Sequence, residues 1–230
     1  MSERPEPIVA LDVATLDEAR RVVAVLGADA GFFKVGLQLF AAAGPPVVEW
    51  LHSARKRVFL DLKLHDIPNT VRNATVAARD MGVALLTVHG LGGEAMVRAA
   101  VESAGRETGI LAVTILTSMD LASASVVLGR PLGAMQEEVL RLAAIASAAG
   151  AHGVVCGGAE CAAVREASGG SSRVLVPGIR LEGAGAGDQR RVSTPLEAAR
   201  AGASYVVLGR AVTQAADPAA AYRRVVAELA

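Results

Sequence analysis

Residues 57–70 read Arg-Val-Phe-Leu-Asp-Leu-Lys-Leu-His-Asp-Ile-Pro-Asn-Thr. Side chains of a β-strand alternate between faces, so Leu60, Leu62 and Leu64 share one face while Asp61 and Lys63 share the other. A carboxylate and an ammonium thus stand where an alternating strand would put core residues. Charge withheld from water is costly unless paired. An Asp and a Lys kept together at a strand end, with Asp66 three residues on, suit a site that holds a reactive group in one protonation state. Lys63 is the expected proton donor. A structural ion pair at a sheet end would account for Asp61 and Lys63 alone, but it leaves Asp66, Pro68, Asn69 and Thr70 without a reason.

The same form, a short apolar run finishing in polar residues, recurs along the whole chain. Strands are expected near residues 8–12, 32–36, 57–63, 84–89, 110–116, 152–156, 173–176 and 204–208, with helical patterns in every interval. The first interval carries its own punctuation: Thr15 and Glu18 have the spacing of a capping box, and Gly27 closes the segment. Eight strand-then-helix units without a break in composition predict the α/β class and a (β/α)8 TIM barrel, a single domain over residues 1–230, in preference to an open doubly wound sheet.

Composition agrees with that architecture. Of 230 residues, 52% are hydrophobic, 20% charged and only 3% aromatic, as expected for strands covered by helices of small residues. Lysine plus arginine equal aspartate plus glutamate at 23 each, so no global field favours nucleic acid or an acidic membrane surface, and any anion site has to be local. The N-terminal residues carry no apolar signal region, and no stretch approaches the roughly 18 apolar residues of a membrane span. A cytoplasmic location is expected, with neither nucleic acid nor membrane as a partner. Cys156 and Cys161 are too few for a disulfide scaffold, which points to a reducing compartment.

In barrels of this kind active sites gather where the strands end. Asp12 ends the first run, Lys34 sits in the second, Asp61 and Lys63 end the third, His89 ends the fourth, Thr117 follows the fifth, and Gly209 and Arg210 follow the eighth. This collection at one end of the apolar runs predicts an enzyme. The seventh run leads into Val176-Pro-Gly-Ile-Arg180 and the eighth into Leu208-Gly-Arg210. Loops after strands seven and eight often bind phosphate through backbone N–H groups and arginine, so a phosphate ester is the expected ligand there. Between Arg180 and Pro195 the connection exceeds the usual βα length of about 2–6 residues. Its Gly183, Gly185 and Gly187 suggest a lid, with Gln189 or a neighbouring arginine touching the ligand when the lid is closed.

Other candidates are weaker. His52, His65, His89 and His152 show no metal-site spacing, alone or with the cysteines, and no metal is expected. Cys156 reads as a small core residue rather than a nucleophile, and His89 as a residue at the barrel mouth, one step removed from the chemistry.

The string Asp61-Leu-Lys63-Leu-His-Asp66-Ile-Pro-Asn-Thr70 resembles the signature of the orotidine 5′-phosphate decarboxylases. So do Leu116-Thr-Ser-Met119, Pro177-Gly-Ile-Arg180, Gly187-Asp-Gln-Arg-Arg191, Thr194-Pro195, and Gly209-Arg210 followed by Asp217-Pro218, in order and spacing. The resemblance runs from Asp12 to the last helix and is to the bacterial branch. It implies decarboxylation of orotidine 5′-monophosphate to UMP, the last step of de novo pyrimidine nucleotide synthesis, with no cofactor. By the same resemblance Lys63 protonates C6, Asp61 lies against the substrate carboxylate, and Lys34 joins the charge network and the ribose hydroxyls. Asp12 binds ribose. Asp66 and Thr70 reach the neighbouring subunit's site in a homodimer, and Ile67 is a further substrate-binding residue. Thr117 and Ser118 address the pyrimidine edge, and Gln189, Gly209 and Arg210 hold the phosphate with Arg180 beside them.

Two positions depart from the bacterial pattern. Leu181 stands where relatives usually carry proline, which should loosen the lid's hinge, and Gly90-Leu91 varies the residues after His89. The nearest alternative is a phosphosugar enzyme resembling the keto-gulonate phosphate decarboxylases or hexulose phosphate synthases, which share Asp-x-Lys-x-x-Asp and use magnesium. Ile67-Pro-Asn-Thr70 and the Gly-Asp-Gln lid are not expected of those. A non-catalytic nucleotide-binding barrel would have no use for the Asp61 and Lys63 charges.

Overall fold

The computed structural model describes residues 4–181 and 191–230. Eight parallel strands close into a barrel in sequential order: β1 (Glu6–Ala10), β2 (Phe32–Gly36), β3 (Arg57–Leu64), β4 (Leu85–His89), β5 (Gly109–Val113), β6 (Gly153–Val155), β7 (Arg173–Val176) and β8 (Tyr205–Leu208). Helices follow every strand, as the alternating pattern predicts. No helix among the described residues is long and apolar enough to cross a membrane.

Local chemistry sets the helix starts. Thr15 Oγ1 accepts from Glu18 N–H at 3.2 Å, and Glu18 answers by accepting from Thr15 N–H at 3.1 Å, the capping box that the sequence predicts for helix Leu16–Leu26. Gly27 ends it at φ +54°. Pro68 opens Pro68–Asp80, Pro195 opens Pro195–Arg200 and Pro218 opens Pro218–Glu228, each at a first-turn position where the missing N–H costs nothing.

Two apolar layers result from the strand alternation. One face of the strands and the inner faces of the helices form the outer layer, which takes in Val9, Val35, Leu60, Leu86, Ile110, Val174 and Val206. The other face fills the barrel with Ile8, Ala10, Phe32, Phe59, Leu85, Leu111, Leu175 and Val207. At the N-terminal end Arg57 lies 4.1 Å over the Phe32 ring and pairs with Glu6, so the floor is plugged.

Observed strand limits differ from the sequence expectation mainly at β1, which spans residues 6–10 and not 8–12, and at β5, which spans 109–113 and not 110–116. A closed barrel has no edge, so even the polar Glu6 finds a partner: its N–H donates to Ser204 O at 2.9 Å. Asp12 consequently stands two residues beyond the strand, and Thr117 four beyond β5.

Candidate active site

The barrel interior continues upward by the same two-residue step. Two positions beyond Ala10, Phe32, Phe59, Leu85, Leu111, Leu175 and Val207 stand Asp12, Lys34, Asp61, Thr87, Val113, Pro177 and Gly209. Apolar side chains thus form the packed base, and on the side of β1 to β4 the polar Asp12, Lys34, Asp61 and Thr87 cap it toward the strand C-termini. A cavity of about 620 Å³ opens there, lined among others by Asp12, Lys34, Asp61, Lys63, Thr117, Ser118, Arg180, Gly209 and Arg210.

Four charges form an alternating chain across the cavity floor. Lys34 Nζ lies 2.8 Å from Asp12 Oδ1 and 3.4 Å from Asp61 Oδ2, and Lys63 Nζ lies 2.8 Å from Asp61 Oδ1. Burial, the largest influence on Lys34, pulls its pKa down, but the charges of Asp61 and Asp12 outweigh it and leave the ammonium above its ordinary range. Asp61 is the mirror case: burial pushes it up, and Lys34 and Lys63 bring it below the usual carboxylate value. Both groups are therefore ionised at neutral pH. Lys63 is less buried than the sequence reading supposed, with a third of its side chain exposed against about a tenth for Lys34 and Asp61. Its ammonium faces the open cavity.

Strand β3 does not remain regular to its end. Leu60 pairs with Leu86 and Leu64 with Val88, so three residues of β3 oppose the single Thr87 of β4. The extra residues are absorbed in a bulge with Lys63 at φ +50°, a region that side-chain-bearing residues seldom occupy. Thr87 knits the bulge together. Its Oγ1 accepts from Lys63 N–H at 2.9 Å and donates to Asp61 Oδ1 at 2.9 Å. Strain of this kind costs on the order of 1–3 kcal/mol and persists where surrounding contacts over-determine it. Gly36 is needed beside this array, since a Cβ there would lie 2.9 Å from Lys34 Nζ and 3.3 Å from Asp12 Oδ1.

On the other side of the mouth, Pro177 and Gly178 turn the chain out of β7, Gly178 at φ +74°, where glycine carries no steric penalty. Arg180 is buried with its Nη1 donating to Ile179 O at 2.9 Å. Arg210 begins the short helix after β8 and borders the same cavity. Gln189 and the glycine lid, Gly183, Gly185 and Gly187, lie outside the described residues, while Leu181 packs partly buried against the outer layer.

Asp66, Ile67 and Thr70 are exposed and are not among the residues that line this cavity; Ile67 is 67% exposed. Asp66 turns its carboxylate back to accept from Ile67 N–H at 2.6 Å. Among the described residues no three His, Cys, Asp or Glu side chains converge as a metal-ligand set. Cys156 is fully buried and its thiol is pushed well above the ordinary range by that burial, as a core residue would be.

His89 stacks on His65 with centroids 5.3 Å apart, and its Nδ1 accepts from Leu91 N–H at 3.3 Å. Burial, then the nearby His65 and Lys63, lower its pKa from the ordinary 6.5 to about 4. The unfolded chain therefore binds this proton more readily than the folded one between those values. The contribution of neutral His89 to stability is present above about pH 6.5 and is lost as the pH falls through about 4. Urea midpoints should drop over that window, and His89→Asn, which keeps an acceptor for Leu91 N–H, should reduce the drop; an unchanged pH slope in the variant would refute the assignment.

Sequence reasoning missed Thr87, Gly36, Gln38 and Gln214, the last three of which border the cavity. Thr87 alone carried a usable signal. It is the polar member of an apolar run, two residues before His89 and in phase with the interior face.

Comparison with known proteins agrees with this geometry. The model of the orotidine 5′-phosphate decarboxylase / HUMPS family matches residues 5–225. The orotidine 5′-phosphate decarboxylase of Anaeromyxobacter dehalogenans is 50% identical over 220 residues, covering 96% of each chain. That of Moorella thermoacetica is 45% identical over 237 residues, covering 100% of this chain and 94% of its own. The crystal structure of the enzyme from Lactobacillus acidophilus superposes with a TM-score of 0.86 at 37% identity, covering 99% of both chains.

Proposed function

Since this chain belongs to the orotidine 5′-phosphate decarboxylase / HUMPS family and decarboxylates orotidine 5′-monophosphate to UMP in pyrimidine nucleotide synthesis, we propose that Lys63 supplies the proton that replaces the departing carboxylate at C6. The observation that carries this reading is the chain Asp12, Lys34, Asp61, Lys63, alternating in sign at the mouth of the barrel. The bond from C6 to the carboxylate carbon breaks, carbon dioxide leaves, and the electron pair stays on C6. An ammonium fixed beside that atom stabilises the charge as it develops and then transfers its proton to it. The neutral amine that remains regains a proton from water, to which the partly exposed Lys63 has access.

The other members of the chain serve that event. Asp61, ionised between two ammoniums, keeps Lys63 charged and placed. Its own contact with the substrate carboxylate is relieved as carbon dioxide departs, so it acts on the transition state and not on binding alone. Lys34 fixes Asp61 from the far side and, with Asp12, faces the ribose hydroxyls. Thr117 and Ser118 hold the pyrimidine edge, while Arg180, Gly209, Arg210 and Gln189 hold the phosphate. The whole chain is read as one barrel domain that works without a cofactor.

Homodimerisation completes the site in this reading. Asp66 and Thr70, like Ile67 between them, are exposed and do not line their own cavity, which supports delivery of Asp66 and Thr70 to the cavity of a partner copy across a two-fold interface.

Arg210 offers a test of the substrate's orientation. Arg210→Ala should cost about 2–4 kcal/mol in kcat/KM for the nucleotide, the scale of a desolvated charge-assisted contact. Orotidine, which lacks the phosphate, should be processed nearly as before. Equal losses on both substrates would remove Arg210 from the phosphate site.

A further inference from the structure

Arg191 does not line the cavity, yet its guanidinium touches Ile115 and Leu116 in one wall, and the backbone two residues beyond it is bonded to the Arg180 segment of another. Nη2 donates to Ile115 O at 2.8 Å and reaches Leu116 O at 3.4 Å, immediately before Thr117 and Ser118. Nη1 stands 2.9 Å from Oε1 of Glu160, a buried carboxylate on helix Gly158–Ala167 after β6. Two residues further on, Ser193 O accepts from Arg180 N–H at 2.9 Å, and Ser193 forms a β-bridge with Ile179. The chain of contacts thus runs from Arg180 through Ser193 and Arg191 to the carbonyls that precede Thr117.

The surrounding sequence makes room for this arrangement. A Cβ on Gly157 would come within 2.5 Å of Glu160 Oε2 and 3.3 Å of Arg191 Nη1, and one on Gly158 would run into Ser193 Oγ. Stability alone is a poor reason for the pair. Arg191 Nε and Nη1 and Glu160 Oε2 are buried without a hydrogen-bond partner among the described residues, so Nη1 meets Glu160 as an ion pair only, and a buried ion pair is often replaceable by apolar side chains at no loss of stability. What it supplies, and apolar packing would not, is a guanidinium held at one place and in one orientation.

We propose that Arg191, held by Glu160, is a positioning residue that fixes the phosphate-side wall of the cavity against its base-side wall. This rests on the assignment of the phosphate to Arg180 and Arg210 and of the base to Thr117 and Ser118. A substrate carrying both phosphate and base spans the two walls and depends on their spacing. A substrate without the phosphate engages one wall only.

The test is to measure kcat and KM for orotidine 5′-monophosphate and for orotidine in the wild-type enzyme and in Arg191→Met, Glu160→Gln and Gly157→Ala. Arg191→Met should lower kcat/KM for the nucleotide by about 10²-fold, the scale of an ångström-sized misplacement, mostly through kcat, and leave the nucleoside within about threefold. Glu160→Gln and Gly157→Ala, which loosen Arg191 without removing it, should move the same ratio in the same direction by less. Equal proportional losses on both substrates would overturn the proposal, as would loss of the folded state, read by circular dichroism, in all three variants, since either makes Arg191 a residue of fold stability. Failure of the underlying phosphate assignment has a different signature: Arg210→Ala would then cost both substrates alike.

Discussion

Lys63→Ala is expected to slow the chemical step in single turnover on the order of 10⁴-fold or more, because charge stabilisation and proton transfer at C6 disappear together. The fold should survive. Asp61 keeps Lys34 at 3.4 Å and the Thr87 hydroxyl at 2.9 Å, so no buried carboxylate is left unpaired by the substitution. Alanine also meets the same φ of +50° that lysine endures, so the backbone strain of the bulge is not increased. Thermal unfolding should accordingly stay near that of the wild type while kcat collapses. A loss of only about tenfold, far below the combined scale of the two roles, would remove Lys63 as the proton donor.

Asp66→Ala should be similarly inactive, and the pair of inactive proteins should rescue one another. In an isologous dimer with Asp66 supplied across the interface, a mixed dimer of Lys63→Ala and Asp66→Ala subunits gathers both lesions in one site and leaves the other complete. Random reassociation of equal amounts makes about half the dimers mixed, each with one good site of two, so about a quarter of wild-type activity should return. Had Asp66 acted within its own subunit, every site would carry one lesion. Absence of UMP formation from confirmed mixed dimers would therefore confine Asp66 to its own chain.

The barrel was legible because its period is written locally. Phe32 to Gly36 and Arg173 to Val176 are strands with the very limits the apolar runs suggest, and Thr15, Glu18 and Gly27 bound the first helix as their chemistry dictates. Glu6 and Pro7 were not legible as strand, because their place in β1 comes from closure against β8 and from nothing in their own character. The site divides the same way. Alternation alone brings Asp12, Lys34 and Asp61 to one interior face. The pairing of Asp61 with Lys63 was legible too, from their two-residue spacing, but the bulge through which it is made was not, because its cause is the register of β3 against β4 and register between distant strands leaves no local mark. Thr87 was hidden for that reason, although its phase within β4 pointed inward. Gly36 was hidden because the last residue of an expected strand gives no sign of the lysine it accommodates until Lys34 and Asp12 are seen beside it. The guanidinium of Arg191 bridges Glu160 to carbonyls 75 and 76 positions back in the chain, a relation that only the fold creates.

The measurement that bears most directly on the charge array as a complete decarboxylation site is an assay of the purified protein with orotidine 5′-monophosphate in excess chelator, following loss of substrate absorbance and formation of UMP. Turnover to UMP and carbon dioxide at a rate unaffected by the chelator is the result expected of Lys63, Asp61, Lys34 and Asp66 acting alone; turnover that stops with the chelator and returns only with added magnesium would contradict it.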